Sequence, residues 1–186
     1  MNIKSNSILI LDLLAFAKDS ASKGCLMAMF NGSVATEALA FAQKNLDDNN
    51  LAPDGRETEP HVTILYGFEP EFDTSLLATE IGKQESLDFT FGAVSRFECP
   101  EYDVLKIDTN SPDSQKLHYH LRTKFGDSVS VSHPVYHPHV TLGYVKKGSH
   151  KELDGNNAFQ GKKVSVSELT YSYPDKSSRK KMILKV

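Results

Sequence analysis

Tryptophan is absent from this 186-residue chain, and cysteine occurs only twice. Cys25 and Cys99 have no ligand spacing with each other or with a histidine, which excludes zinc modules and disulfide-framed secreted scaffolds. Both read as plain buried thiols in strand-like segments, consistent with a cytoplasmic setting. A long apolar run is missing as well. The longest near the start, Ile8 to Leu14, is interrupted by Asp12 and preceded by Lys4 alone, so it imitates a secretory leader only weakly. Leu9, Leu13, Phe16 and Ala17 recur at helical spacing instead, which predicts a helical segment over 1–23 ahead of one domain over 24–186. An excess of positive charge is the third absence: 21 Lys and Arg stand against 24 Asp and Glu, a net charge of -3. Proteins that coat duplex nucleic acid carry a basic face able to displace counterions, so that class is excluded, as is a membrane span. A small phosphorylated ligand is left open. Lys146, Lys147, Lys176, Arg179, Lys180 and Lys181 concentrate what positive charge there is, either as a local attraction for a polyanion or as solvated turns.

The pattern along the chain is mixed. Gly24 to Phe30 reads as a buried strand, and Asn31-Gly32-Ser33 supplies turn and N-cap chemistry for a helix whose buried face is Val34, Ala38, Leu39, Phe41 and Ala42. Asp47 to Pro60 reads as one polar loop, delivering the chain into the strand His61 to Tyr66, closed by Gly67. Thr74 to Lys83 has helical spacing behind the N-cap Asp73. Leu87-Phe89-Phe91 and Tyr102 to Ile107 form a hairpin around Cys99-Pro100-Glu101, and Ser111-Pro112-Asp113 opens a helix ending at Gly126. A second Pro-containing lead-in, His133 to Pro138, feeds the strand His139 to Val145. Lys162 to Tyr173 and Lys181 to Val186 complete the set. The order is that of an α+β protein, with two lobes related by a pseudo-twofold axis.

Both lead-ins end in the same tetrapeptide, Pro60-His61-Val62-Thr63 and Pro138-His139-Val140-Thr141. Alternate residues of a strand share a face, so each motif presents an imidazole and a hydroxyl together while Val turns to the core. If the two strands lie side by side, His61, Thr63, His139 and Thr141 converge on one cleft. An imidazole titrates near neutrality, so one neutral ring takes a proton from a nucleophile while its protonated partner donates to a leaving oxygen, each contributing about 10²–10⁴ in rate. The hydroxyls donate to phosphoryl oxygens as charge builds. This chemistry requires no metal or other cofactor. One His-x-Thr is a weak signal; two within the same tetrapeptide, each closing on a Tyr and Gly pair, form a strong one.

These motifs resemble the two-histidine (2H) phosphoesterases, defined by two H-x-[TS] motifs on facing strands of a bilobal fold. The resemblance implies two antiparallel sheets forming a central cleft, with helices on the outside. It is strongest to a phage-encoded branch, through Asp54-Gly55-Arg56-Glu57, Pro60 to Gly67, Tyr102-Asp103-Val104-Leu105-Lys106-Ile107 and Pro138 to Leu142. That branch includes the anti-CBASS phosphodiesterases, which degrade the cyclic oligonucleotides bacteria make to trigger defence against phage. The resemblance therefore implies a cyclic di- or trinucleotide substrate, such as cGAMP, and places catalysis on His61, Thr63, His139 and Thr141. In the absence of tryptophan, Phe30, Phe97, Tyr102 or Tyr136 would serve as the base platform. An RNA-end enzyme acting on 2′,3′-cyclic or 2′–5′ linkages is the alternative within the family. A non-enzymatic nucleotide-binding module is the other, and it leaves the paired histidines without a purpose.

The remaining candidates admit two readings. Tyr66, Tyr144 and Tyr136 either reach phosphate or base from the cleft rim or pack at strand ends. Glu168 either binds a base or orients a histidine, or else faces solvent on an alternating strand. His133 and His137 near His139 lack a carboxylate or thiolate at ligand spacing, so the loop reads as a rigid lead-in to the strand and not as a metal site. His118 and His120 read as surface or partly buried helix residues. No obligate protein partner is indicated.

Overall fold

The computed structural model describes residues 23–130, 135–176 and 178–185. Residues 1–22 of the helix expected over 1–23, His133 and the last residue of the chain lie outside them. The elements are β1 (Gly24–Met29), α1 (Gly32–Asn45), β2 (Leu51–Arg56), β3 (His61–Phe68), α2 (Thr74–Ile81), β4 (Leu87–Glu98), β5 (Tyr102–Asn110), α3 (Pro112–Phe125), β6 (His139–Lys146), β7 (Lys163–Val166), β8 (Glu168–Ser172) and β9 (Arg179–Ile183). They form two antiparallel sheets, ordered β3-β1-β8-β9 and β2-β6-β5-β4-β7. The architecture is the α+β, two-sheet arrangement expected.

Each motif strand pairs with a strand that precedes it across a helix: β1, α1, β3 in one lobe and β5, α3, β6 in the other. Helices reach across the lobes: α1 packs against β6, and α3 packs against β3 as well as against β4 of its own sheet. Val34, Ala35, Ala38 and Ala42 are the buried stripe of α1, small residues that allow close approach. Leu117 and Leu121 play that part in α3, which starts at Pro112 with the Ser111 hydroxyl accepting from the Ser114 amide at 3.3 Å. One continuous core joins both sheets, running from Leu26 and Val62 through Phe89 and Ile107 to Val140 and Tyr171.

Four local readings change. Leu39 is on the exposed side of α1 and does not join its buried face. The supposed loop through Pro53 contains a strand, β2, which meets β6 only at Leu51↔Val145 and Arg56↔Gly143; a ladder this interrupted tolerates a proline. The segment Lys162 to Tyr173 is two strands in different sheets. β7 pairs with β4 and β8 with β1 and β9, the break falling at Ser167, whose carbonyl accepts from the Leu184 amide at 2.9 Å. Cys99 is buried but lies in the β4–β5 turn, and Cys25 is only half-buried. Among the described residues no helix is long and apolar enough to cross a membrane.

Candidate active site

β3 and β6 approach within 8 Å between Cα atoms, which brings the two tetrapeptides to a common cleft. Val62 and Val140 are fully buried behind them, while His61, Thr63, His139 and Thr141 are half-buried on the cleft side. Both strands then break alternation at the same place. In β3, Thr63 stands opposite Met27 and Leu65 opposite Leu26, leaving Ile64 as an extra residue. In β6, Thr141 stands opposite Lys106 and Gly143 opposite Leu105, leaving Leu142 extra. These β-bulges reverse the parity of the residues after them, so Tyr66 and Tyr144 return to the histidine face and Leu65 goes to the core. Strict alternation would have placed Leu65 in the cleft.

The two imidazoles are held alike. His61 Nδ1 donates to the Glu59 carbonyl and His139 Nδ1 to the His137 carbonyl, each at 2.7 Å. A carbonyl only accepts, so Nδ1 carries hydrogen in both rings, and Nε2 is the nitrogen left for proton transfer. Beyond this bond the environments part. On β1, the residues opposite His61 and Thr63 are Met29 and Met27; on β5, those opposite His139 and Thr141 are Asp108 and Lys106.

Lys106 is buried, with its ammonium held by the Ser95 hydroxyl at 2.6 Å and by the Asp108 carboxylate. It also lies 4.4 Å from the centre of the Phe97 ring, and Phe97 meets the His139 ring edge-on at 4.9 Å. Burial is the main cause that pushes the pKa of His139 down to about 4; the hydrogen bond to the His137 carbonyl opposes it, the charges of Lys106 and His61 add to it, and Asp108 opposes it least. At neutral pH His139 is therefore an uncharged ring with a free Nε2. Near His61 the charges differ: the Glu59 carboxylate is clamped by Arg179 through two hydrogen bonds of 2.6 Å, which with the His61 charge hold it below the usual carboxylate range.

Thr63 has the Cys25 thiol 4.0 Å from its hydroxyl. Burial pushes that thiol up to about 12, so it stays protonated. A cavity of about 380 Å³ opens beside the second motif, lined by Phe97, Lys106, Asp108, Gln115, His137 and Pro138 among others.

Several candidates fall elsewhere. Phe30 is a core residue, packed edge-on against Phe89 and Phe91 at 5.3 Å, while its amide donates to the Pro60 carbonyl at 2.9 Å and so anchors the first lead-in. Its ring is closed to any base. The Tyr136 hydroxyl is committed to the Thr63 carbonyl at 2.9 Å and is not a rim donor. Glu168 lies on the Thr170 side of β8, with its carboxylate bound to Lys181 at 2.9 Å. Tyr102 and Tyr144 pack edge-on at 5.9 Å, farther along the cleft face from the histidines. Of the basic residues, Lys146 caps the Asn49 carbonyl, Lys147 the Cys99 carbonyl, Lys180 bonds the Thr74 hydroxyl, and Arg179 and Lys181 are paired as described.

Residue patterns had not singled out Lys106, Asp108 or the Glu59–Arg179 clamp. The available signal was Lys106 itself, the one cation of the strand Tyr102–Asn110. His118, read as a surface or partly buried residue, is in fact buried.

A sequence search against curated proteins finds no significant match. In fold the chain is similar to Usb1 of Kluyveromyces marxianus, with a TM-score of 0.64 at 11% identity, covering 88% of this chain and 99% of that one. It is also similar to TT0787 of Thermus thermophilus, with a TM-score of 0.59 at 11% identity and coverage of 88% and 95%. For Escherichia coli LigT complexed with 3′-AMP the TM-score is 0.56 at 17% identity, with coverage of 88% and 96%. The model of the 2′-5′ RNA ligase superfamily matches residues 35–170, a span that contains both tetrapeptides, and the chain thus belongs to that superfamily and is an enzyme of phosphodiester chemistry.

Proposed function

We propose that this protein hydrolyses the 3′–5′ bonds of cyclic di- and trinucleotide signals through a 2′,3′-cyclic phosphate, using two histidines and no metal. The observation that carries the reading is the matched pair of Nδ1-to-carbonyl bonds, which leaves both Nε2 atoms to one cleft beside two threonine hydroxyls. Proton transfer in both directions and donors for the phosphoryl oxygens are then all supplied by side chains.

The differing environments assign the roles. His139, uncharged at neutral pH, accepts the proton of a ribose 2′-hydroxyl. As the 2′-oxygen bonds to phosphorus and the bond from phosphorus to the 5′-oxygen breaks, His61 delivers a proton to the departing oxygen. Thr63 and Thr141 donate to the non-bridging oxygens. In the second step the roles reverse: His61 takes a proton from water, which attacks phosphorus, and His139 returns one to the ribose oxygen it frees. The ring is opened in the first step. For a phage-encoded enzyme, that opening would silence a bacterial defence signal in the host cytosol.

Support for a compact nucleotide comes from the net charge of -3 and from the pairing of Arg179 and Lys181 with carboxylates, since a long RNA needs an extended positive groove. The competing reading, action on RNA ends, draws on the family description and on neighbours captured with 3′-AMP and with uridine monophosphate. Incubating the protein in EDTA with 3′–5′ cyclic dinucleotides, cyclic trinucleotides, 2′,3′-cyclic mononucleotides and 2′–5′-linked dinucleotides separates the two. Linear products from the cyclic oligonucleotides are expected. Turnover of the mononucleotide or 2′–5′ substrates alone would move the assignment to RNA ends, and complete loss in EDTA would end the metal-free mechanism.

A further inference from the structure

The bulge that turns Tyr66 into the cleft leaves two consecutive carbonyls of β3, those of Thr63 and Ile64, each bonded by a side chain. Tyr136 Oη donates to the Thr63 carbonyl at 2.9 Å, and His118 Nδ1 donates to the Ile64 carbonyl at 2.7 Å. The two donors are themselves stacked, with ring centres 4.3 Å apart and planes within 7°. Tyr119 closes the set, meeting His118 edge-on at 5.0 Å and accepting from the Tyr136 amide at 3.3 Å. Tyr136 therefore has its ring, hydroxyl and amide all engaged by α3 and β3.

The chain position of Tyr136 gives this cluster its reach. The next residue is His137, whose carbonyl orients the His139 ring. One dipeptide thus grips the first motif with its side chain at Thr63 and aims the second motif's imidazole with its backbone. Burial lowers the pKa of His118 and raises that of Tyr136, so in both donors it favours the uncharged form.

We propose that Tyr136 and His118 are positioning residues that set the distance and angle between His61 and His139, through the Thr63 and Ile64 carbonyls and the Tyr136–His137 dipeptide. The inference rests on the two-histidine reading of the site. Transfer of two protons in one displacement demands that both Nε2 atoms be placed together, and a displacement of about 1 Å costs on the order of 10²-fold in rate. Such a brace acts on turnover more than on binding.

The test compares Tyr136→Phe, which keeps the ring stack and removes one donor, with His118→Leu and His118→Asn. Asn carries an amide donor at the Nδ1 position, whereas Leu carries none. Three quantities are read for each variant: kcat and KM on the substrate the wild type turns over best, thermal midpoint, and the titration of both cleft imidazoles by NMR in the free protein. Tyr136→Phe and His118→Leu should each lower kcat at least about 10-fold with KM within about twofold. They should also shift both imidazole titrations, and His118→Asn should recover most of the loss. Wild-type kcat and unchanged titrations in Tyr136→Phe, or equal loss in the Leu and Asn variants, would overturn the proposal. Should the wild type turn over nothing in the panel, the proposed activity falls by that result, while the substrate-free titrations still decide the brace.

Discussion

At His61 and His139 one backbone bond of 2.7 Å serves two unlike surroundings, a carboxylate clamped by Arg179 on one side and a buried ammonium behind an aromatic wall on the other. The pH profile should show it. With His139 at about 4, the base stays unprotonated well into the acid range, so kcat/KM should hold down to about pH 5 and fall only as about 4 is approached. Removing the ammonium by Lys106→Met takes away one downward influence on His139 and should move that acid limb upward; an unmoved limb would leave Lys106 without electrostatic effect on the base. His61→Ala and His139→Ala should each abolish turnover yet retain measurable nucleotide binding by calorimetry. Thr63→Val and Thr141→Val, which keep shape and lose a donor, should each cost about 10²–10³ in kcat. The tetrapeptides displayed these four residues openly. Lys106 and Asp108 were hidden because their meaning depends on being opposite Thr141 and His139 across a ladder, which no local pattern encodes.

The strands explain why the site has the tyrosines it has. A bulge after each His-Val-Thr reverses alternation, and Gly67 completes the turn of β3 with φ at 106°, where an added Cβ would fall 2.0 Å from the Ser130 carbonyl oxygen. Backbone, not a flexible side chain, is in the way. Gly67→Ala should therefore cost at least ~2 kcal/mol, visible as a lower urea midpoint at unchanged slope. The element sequence was largely legible: β1, α1, β3, α2, the β4–β5 hairpin, α3 and β6 are all signalled by periodicity and caps. β2 was read as loop because Pro53-Asp54-Gly55 is turn chemistry, and only its pairing to β6 makes it a strand. Likewise Ser167 looks like any strand residue. The split of β7 from β8 comes from each half having a different partner sheet.

For the whole molecule, acidity and paired cations bear on both substrate and stability. Raising salt from about 50 to about 200 mM should change kcat/KM on a cyclic dinucleotide by less than about threefold, where an enzyme gripping long RNA through many phosphates would lose orders of magnitude. Stability should respond to acid in a defined window. His139 titrates at about 4 when folded and near 6.5 when unfolded, so the unfolded chain takes up this proton first. The corresponding stability is present in full above pH 6.5 and is lost as pH falls toward about 4; His118, also depressed, acts in the same direction. Urea midpoints measured between pH 7 and pH 4 check the sign, and a rising midpoint would contradict it.

The amino-acid sequence by itself determined the α+β class and the choice of His61, Thr63, His139 and Thr141 as the candidate catalytic set, because these are carried by local periodicity and by a repeated tetrapeptide. Tertiary structure alone decided which nitrogen of each histidine faces the cleft, that Phe30 belongs to the core, that Tyr136 and His118 hold the first motif, and that a buried Lys106 stands behind the second. The physical reason is that burial and through-space charge are properties of residues brought together from distant parts of the chain, and these make two identical motifs chemically unequal.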